Sequence, residues 1–349
     1  MEENQIPVPE NAEETPVCAG CGNPEILHGH PTKFCANCRN AYIKYPIPLW
    51  VKLFGTGVVA LMIVSFALSP KNFEAAIALS RAEKFENRQD YASEQRELRK
   101  AVEIAPNSVE ILAHLLIASF YNADFVTYDE AIRKLGGKNF NDSELLKKVN
   151  DITAYTVDYF PSDSLVKMYE RYPKGIPDST YARYTKLHPA DVYTQYAFAS
   201  ACFDKENYSK TDSLLAGVTA INQHHMYALF LRSITKREMN QLDSSVYFCD
   251  KLLQENHQSA MGLSSKARTL LKQGHFKEGL DMALKTNELD SAFYYNKATL
   301  AIAYHFNKKT KERDALIKQS LNDSTLAASM QYASEIISGK RDYGVQPQK

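Results

Sequence analysis

The sequence predicts a mostly α chain: an α-α superhelical solenoid, preceded by a small zinc-binding segment and one transmembrane helix. Three observations lead there. Small residues recur every 34 positions, at Ala199, Ser233, Ala267 and Ala301. Two matched Cys-x-x-Cys pairs, Cys18/Cys21 and Cys35/Cys38, stand near the start. Residues 50–69 read WVKLFGTGVVALMIVSFALS and carry no charge after Lys52.

Taken in order, residues 1–16 hold five glutamates with Pro7, Pro9 and Pro16. So little apolar surface cannot offset chain entropy, and a disordered acidic tail is expected. Residues 17–45 follow as a candidate zinc ribbon. Two thiolate pairs, each spaced by two residues, can wrap tetrahedrally around one Zn²⁺, which makes Cys18, Cys21, Cys35 and Cys38 the expected ligands. Four sulfurs close the shell, so His28 and His30 read as loop residues and a catalytic zinc is not expected. The matched pairs also favour metal over disulfides.

Residues 50–69 are long enough to cross a bilayer core of about 30 Å at 1.5 Å per residue. Tyr42, Tyr45 and Trp50 suit a membrane interface, while Pro46, Pro48 and Pro70 delimit the helix. Basic residues near the span are balanced, with Lys33, Arg39, Lys44 and Lys52 before it and Lys71, Arg81, Lys84 and Arg88 after it. The thiolates therefore set the expected orientation, because they persist best in a reducing compartment. The ribbon is expected in the cytoplasm and the solenoid across a single-pass membrane, which in a bacterium is the periplasm.

Within 72–340 the 34-residue rhythm extends to other positions. Nine residues after each small residue come Tyr208, Leu242, Phe276 and Thr310; sixteen after come Leu215, Cys249, Ala283 and Ile317. Two packed helices need a small residue where they touch and a larger one to anchor the second helix. The clearest unit reads Ala267, Leu270, Gly274, Phe276, Gly279 and Ala283. Ala82, Phe85, Tyr91, Leu98, Ala101 and Pro106 form another, departing at Glu94, where a small residue belongs. These residues and their period resemble the tetratricopeptide repeat family. A second unit (Ala118, Tyr121, Tyr128, Ala131, Leu135) then carries one extra residue between its helices. Ala199 follows Ala154 by 45 residues, which places an 11-residue insert around Pro161–Pro177. Lys311-Glu312-Arg313 break the last repeat, and a helix over 324–338 is expected to cap the solenoid.

The resemblance implies a protein or peptide partner held on the concave face. Helix-A positions counted from the small residues give Tyr193, Tyr196, Phe203, Tyr227, Phe230, Arg237, Arg268, Lys272, Tyr295 and His305. The lysine place of the family's carboxylate clamp is filled by Tyr196, Phe230, Ser264 and Ala298, so that clamp is not expected. An aromatic groove with basic residues suits an extended or helical peptide with apolar anchors. No catalytic signature stands out, and no enzyme activity is expected. Cys202 and Cys249 read as buried thiols and His224-His225 as a surface turn. The alternative, a zinc-ribbon regulator contacting nucleic acid or transcription machinery with the solenoid as sensor, lacks clustered positive charge: residues 1–69 hold four basic residues against six acidic ones.

Overall fold

The computed structural model describes residues 16–43, 48–68, 70–320 and 323–345. The tail expected at 1–16 lies, except for Pro16, outside the described residues. Two compact units divide the chain, Met1–Pro70 and Lys71–Lys349.

In the first unit the second cysteine pair opens helix α1 (Ala36–Ile43), and the apolar run forms α2 (Leu49–Leu68). Among the described residues no β-strand is assigned, so the cysteine segment is two turns and a helix, not a ribbon of strands. Pro48 starts α2, its carbonyl accepting from the Val51 and Lys52 amides at 2.9 and 3.2 Å. A proline costs a helix nothing there, since the first amides have no intrahelical partner. Leu53, Phe54, Val59 and Ile63 are each half exposed or more. At 100° per residue they point to all sides of the helix. Among the described residues, however, no helix is long and apolar enough to cross a membrane. The span expected over 50–69 is therefore not found among the described residues. The side chains of 66–69 lie outside the described residues.

Every regular element described in the second unit is a helix. Helices α3 (Pro70–Glu86), α4 (Tyr91–Ile104), α5 (Val109–Tyr121) and α6 (Phe125–Leu135) make two hairpins. Ala75, Ala78 and Ala82 of α3 share their core with Leu98 and Ala101 of α4 and Leu112 and Leu116 of α5. Next come α7 (Ser143–Thr156), a 3₁₀ turn at Val157–Tyr159, α8 (Asp163–Arg171) and α9 (Asp178–Leu187). Four more hairpins follow: α10 (Val192–Phe203) with α11 (Tyr208–Ile221), α12 (Met226–Glu238) with α13 (Leu242–Glu255), α14 (Ala260–Lys272) with α15 (Phe276–Leu289), and α16 (Tyr294–Phe306) with α17 (Thr310–Ser320). A 3₁₀ turn at Ser324–Leu326 leads into α18 (Ala327–Ile337).

The four last hairpins repeat residue for residue. Their first helices start at Val192, Met226, Ala260 and Tyr294, and their second at Tyr208, Leu242, Phe276 and Thr310, each 34 after the one before. Ala199, Ser233, Ala267 and Ala301 are fully buried where the helices meet. In the first three of these hairpins the fourth residue of the second helix lies against the carbonyl of that small residue. Thr211 Oγ1 donates to Ala199 O at 3.4 Å, and Ser245 Oγ to Ser233 O at 2.7 Å. At Gly279 a Cβ would come within 3.0 Å of Ala267 O and 2.8 Å of Leu271 Cγ. In the last hairpin the place falls to Arg313, which turns to Asp314 at 2.7 Å, and α17 buries only Ser320 among its described residues.

Two expectations about register need correction. Left-handed backbone marks the turn inside each hairpin at Gln89, Ala123, Glu206, Asn240, Gly274 and Lys308. Gln89 and Ala123 are 34 apart, so the second repeat has no extra residue; Leu116, not Ala118, occupies the place of Ala82. Glu206 follows Ala123 by 83 residues, so the insert over two periods is 15 residues, and α8 and α9 fill it with helix.

The ladder also folds back on itself. The turn that enters α14 docks against the first hairpins, and the turn that enters α12 docks against the 3₁₀ turn at Val157–Tyr159. Asn256 Nδ2 donates to Tyr121 O (3.1 Å) and Asn122 Oδ1 (2.9 Å), His257 N to Gln89 O (3.0 Å), and Ser93 N to Gln258 Oε1 (2.8 Å). Asn222 Nδ2 reaches Asp158 Oδ2 at 2.7 Å, and Met226 N donates to the Tyr159 hydroxyl at 2.9 Å.

Candidate functional site

The four N-terminal sulfurs lie within 4.8 Å of one another. None of the six cysteines is in a disulfide. The first pair is held by a tight turn, with Gly22 N donating to Cys18 O at 2.8 Å and Gly22 at φ 73°. Amides are aimed at sulfur: Cys35 N to Cys18 Sγ at 3.1 Å and Cys38 N to Cys35 Sγ at 3.4 Å. The Cys35 amide in particular lowers the Cys18 thiol to about 6. Hydrogen bonding with the Cys21 and Cys35 sulfurs pushes Cys38 up to about 12. Four thiols this close cannot all ionise without a cation between them, and a dication removes that conflict. The cluster is fit to hold a metal. His28 and His30 are exposed and are not part of it. Cys202 and Cys249 are fully buried.

The expected groove residues separate into two groups. Tyr193, Tyr196 and Tyr227 are half-buried rings in series, with centroids 6.2 Å apart from Tyr193 to Tyr196 and 6.0 Å from Tyr196 to Tyr227. Tyr159 continues the series, 5.6 Å from Tyr227. Burial raises the hydroxyl of Tyr227 to about 12 and shifts Tyr193 and Tyr196 upward as well. Phe203 rests on Tyr208, and Phe230 meets the Tyr295 ring edge-on at 5.2 Å.

Arg237, Arg268 and Tyr295 do not line an open face: they are 1, 5 and 9% exposed. Arg237 Nη2 donates to the Tyr295 hydroxyl at 2.8 Å, and the Arg268 guanidinium stacks 3.7 Å from the Tyr295 centroid. Lys272 Nζ is drawn to Arg237 O at 3.1 Å. The chain's own end covers this ground, since Tyr343 is buried and donates to Arg268 O at 2.8 Å. His305 is partly buried beside Arg313, and both effects, burial first, lower its pKa. The basic groove expected from the sequence is thus an internal network at these positions.

Two further sites were not anticipated. His225 is no surface residue; only His224 is exposed, bound to Glu255 at 2.7 Å. His225 occupies the N-cap place held by Asp191 and Ser259 in neighbouring hairpins, its Nδ1 accepting from Ala228 N at 3.2 Å. Its other nitrogen donates to Asp158 O at 3.0 Å, and its ring stacks 4.3 Å from Tyr159. The second site joins Glu86, Glu94 and His114. His114 Nδ1 lies 2.6 Å from Glu86 Oε2, and Lys148 Nζ 3.0 Å from Glu86 Oε1. Glu94, flagged in the sequence only as a departure from the repeat, is completely buried, and burial pushes its carboxyl up to about 9.

No family model and no curated protein matches the chain. Among solved structures, a tetratricopeptide repeat protein from Parabacteroides merdae is 14% identical, over 76% of this chain and 91% of that one, with TM-score 0.38. PilF of Pseudomonas aeruginosa is 11% identical over 78% and 99%, with TM-score 0.33. YrrB, described as a TPR protein with an unusual peptide-binding site, is 11% identical over 70% and 97%, with TM-score 0.29. Similarity at this level carries no argument. The class rests instead on the hairpins themselves, whose 34-residue spacing defines a mostly α, tetratricopeptide-like helical solenoid.

Proposed function

We propose that the protein is a membrane-anchored interaction scaffold whose solenoid holds a protein or peptide partner. The observation that carries this reading is the run of half-buried rings Tyr193, Tyr196 and Tyr227, with the exposed Tyr294 nearby in the same solenoid. Rings that are rigid, apolar and still reachable from water are the usual anchors of binding hot spots. In this reading Cys18, Cys21, Cys35 and Cys38 hold one structural Zn²⁺, which would tie the two cysteine turns together. The anchor is α2, a helix of 20 residues whose apolar side chains have no single inward face, and the sequence stays apolar through Phe66, Ala67 and Leu68. The cysteine segment lies in the cytoplasm and the solenoid outside it, in a bacterium in the periplasm. No catalytic role is assigned.

One experiment tests the reading as a whole. A photo-crosslinking residue replaces Tyr227 in the full chain, and intact cells are irradiated and fractionated. The expected result is a discrete adduct in the membrane fraction, open to protease added from outside the inner membrane. It should vanish when Tyr193→Ala and Tyr196→Ala are added without loss of helicity. A folded chain that yields no adduct, or that stays in the soluble fraction, overturns the proposal.

A further inference from the structure

Glu94 stands where three later hairpins place Thr211, Ser245 and Gly279, the fourth residue of the second helix. It is completely buried, and neither carboxylate oxygen has a hydrogen-bond partner. A buried carboxyl group without a partner is costly, so native chains supply one or use the vacancy. Glu86 and His114 stand beside it, and the three ligand atoms lie within 4.8 Å of one another. They come from three separate helices, α3, α4 and α5, which share one core.

We propose that Glu86, Glu94 and His114 form a second metal site, which takes a divalent transition-metal ion independently of the cysteines. An imidazole and two carboxylates are a donor set for Zn²⁺, Mn²⁺ or Fe²⁺, whereas Ca²⁺ wants six or more oxygens. Ligands about 2.1 Å from such an ion sit about 3–4.2 Å apart, and the three atoms already lie within 4.8 Å of one another, so side-chain torsions suffice to close the set. Lys148 now neutralises Glu86. Its side chain is 48% exposed and can swing to water when an ion takes its place. Glu86 and Lys148 also line a cleft of about 500 Å³ with Tyr121, Asp151 and Tyr155, which gives an ion a way in.

The test uses the full chain loaded with a single equivalent of zinc, which the thiolates take in strong preference, and Mn²⁺ as probe. Mn²⁺ is titrated while its free electron paramagnetic resonance signal is followed, and the melt is recorded with and without the ion. The expected result is saturable uptake of one Mn²⁺ per chain with a rise in Tm. Glu94→Gln and His114→Gln should each weaken uptake by about tenfold or more while keeping the far-ultraviolet spectrum of the wild type. Absence of saturable uptake in the wild type overturns the proposal. So does a folded Glu94→Gln chain that binds Mn²⁺ as tightly as the wild type. If Glu94→Gln melts higher with Mn²⁺ making no difference to either chain, Glu94 is a buried neutral acid and the site does not exist.

Discussion

Single residues set how closely the hairpins approach. At Gly279 a methyl group would press on Leu271 Cγ and on the Ala267 carbonyl, the second of which is backbone and cannot rotate away. Gly279→Ala is therefore expected to destabilise, although alanine is the better helix former by about 1 kcal/mol. Overpacking costs about 1–3 kcal/mol and should win. Urea unfolding checks this, and unchanged or raised stability would refute it. His225 makes a different prediction. Burial lowers its pKa, and both ring nitrogens are committed in the neutral form. The unfolded chain takes up a proton below about pH 6.5 that the folded chain refuses, so stability should fall as pH drops through that value. In His225→Ser, with the cap chemistry of Ser259, that part of the pH slope should disappear from a series of melts. The sequence displayed the first residue and hid the second. Gly279 falls in a visible rhythm, whereas His225 beside His224 looks like any polar turn until Tyr159, 66 positions earlier, is found stacked on it.

At the scale of elements, the helix pairs were legible because close contact between helices imposes the same demand at every period. Ala199, Ser233, Ala267 and Ala301 meet it, and their helices start in step. The weak last unit was legible too: Arg313 cannot enter the place taken by Gly279, and α17 stays mostly exposed. Helices α8 and α9 were not legible as helices, since Pro161, Pro173 and Pro177 read as loop punctuation. In the structure Pro177 caps the start of α9, and the prolines separate short helices without abolishing them. The basic groove misled for another reason. Counting positions assumes an open concave face, and nothing in the count reveals that Tyr343 returns to cover Arg268.

Across the whole second unit, the fold-back was invisible in the sequence. Asn222 and Asn256 are 34 apart and look like ordinary residues of turns between hairpins, yet each bridges to a much earlier element, Asn222 to Asp158 and Asn256 to Tyr121. Asn256→Ala would leave the Tyr121 carbonyl and Asn122 without this partner, at a cost of about 1–3 kcal/mol. The loss should be felt at a distance. Amide hydrogen exchange should quicken in α4 and α5 more than in α13, to which Asn256 is joined by chain; the opposite pattern would mean that the joint contributes nothing.

That joint also bears on how the protein folds. A ladder in which each hairpin touches only its neighbours can nucleate anywhere and grow by local steps. Here Ser93 is bonded to Gln258, 165 residues away. Loop closure over such a distance must precede the contacts that reward it, which slows folding relative to an open array. The first hairpins emerge from the ribosome long before their docking turns exist. Until α12 and α14 are made, Tyr121 and Tyr159 have surfaces prepared for a partner that is still unsynthesised, and the nascent chain spends that interval open to capture by other proteins.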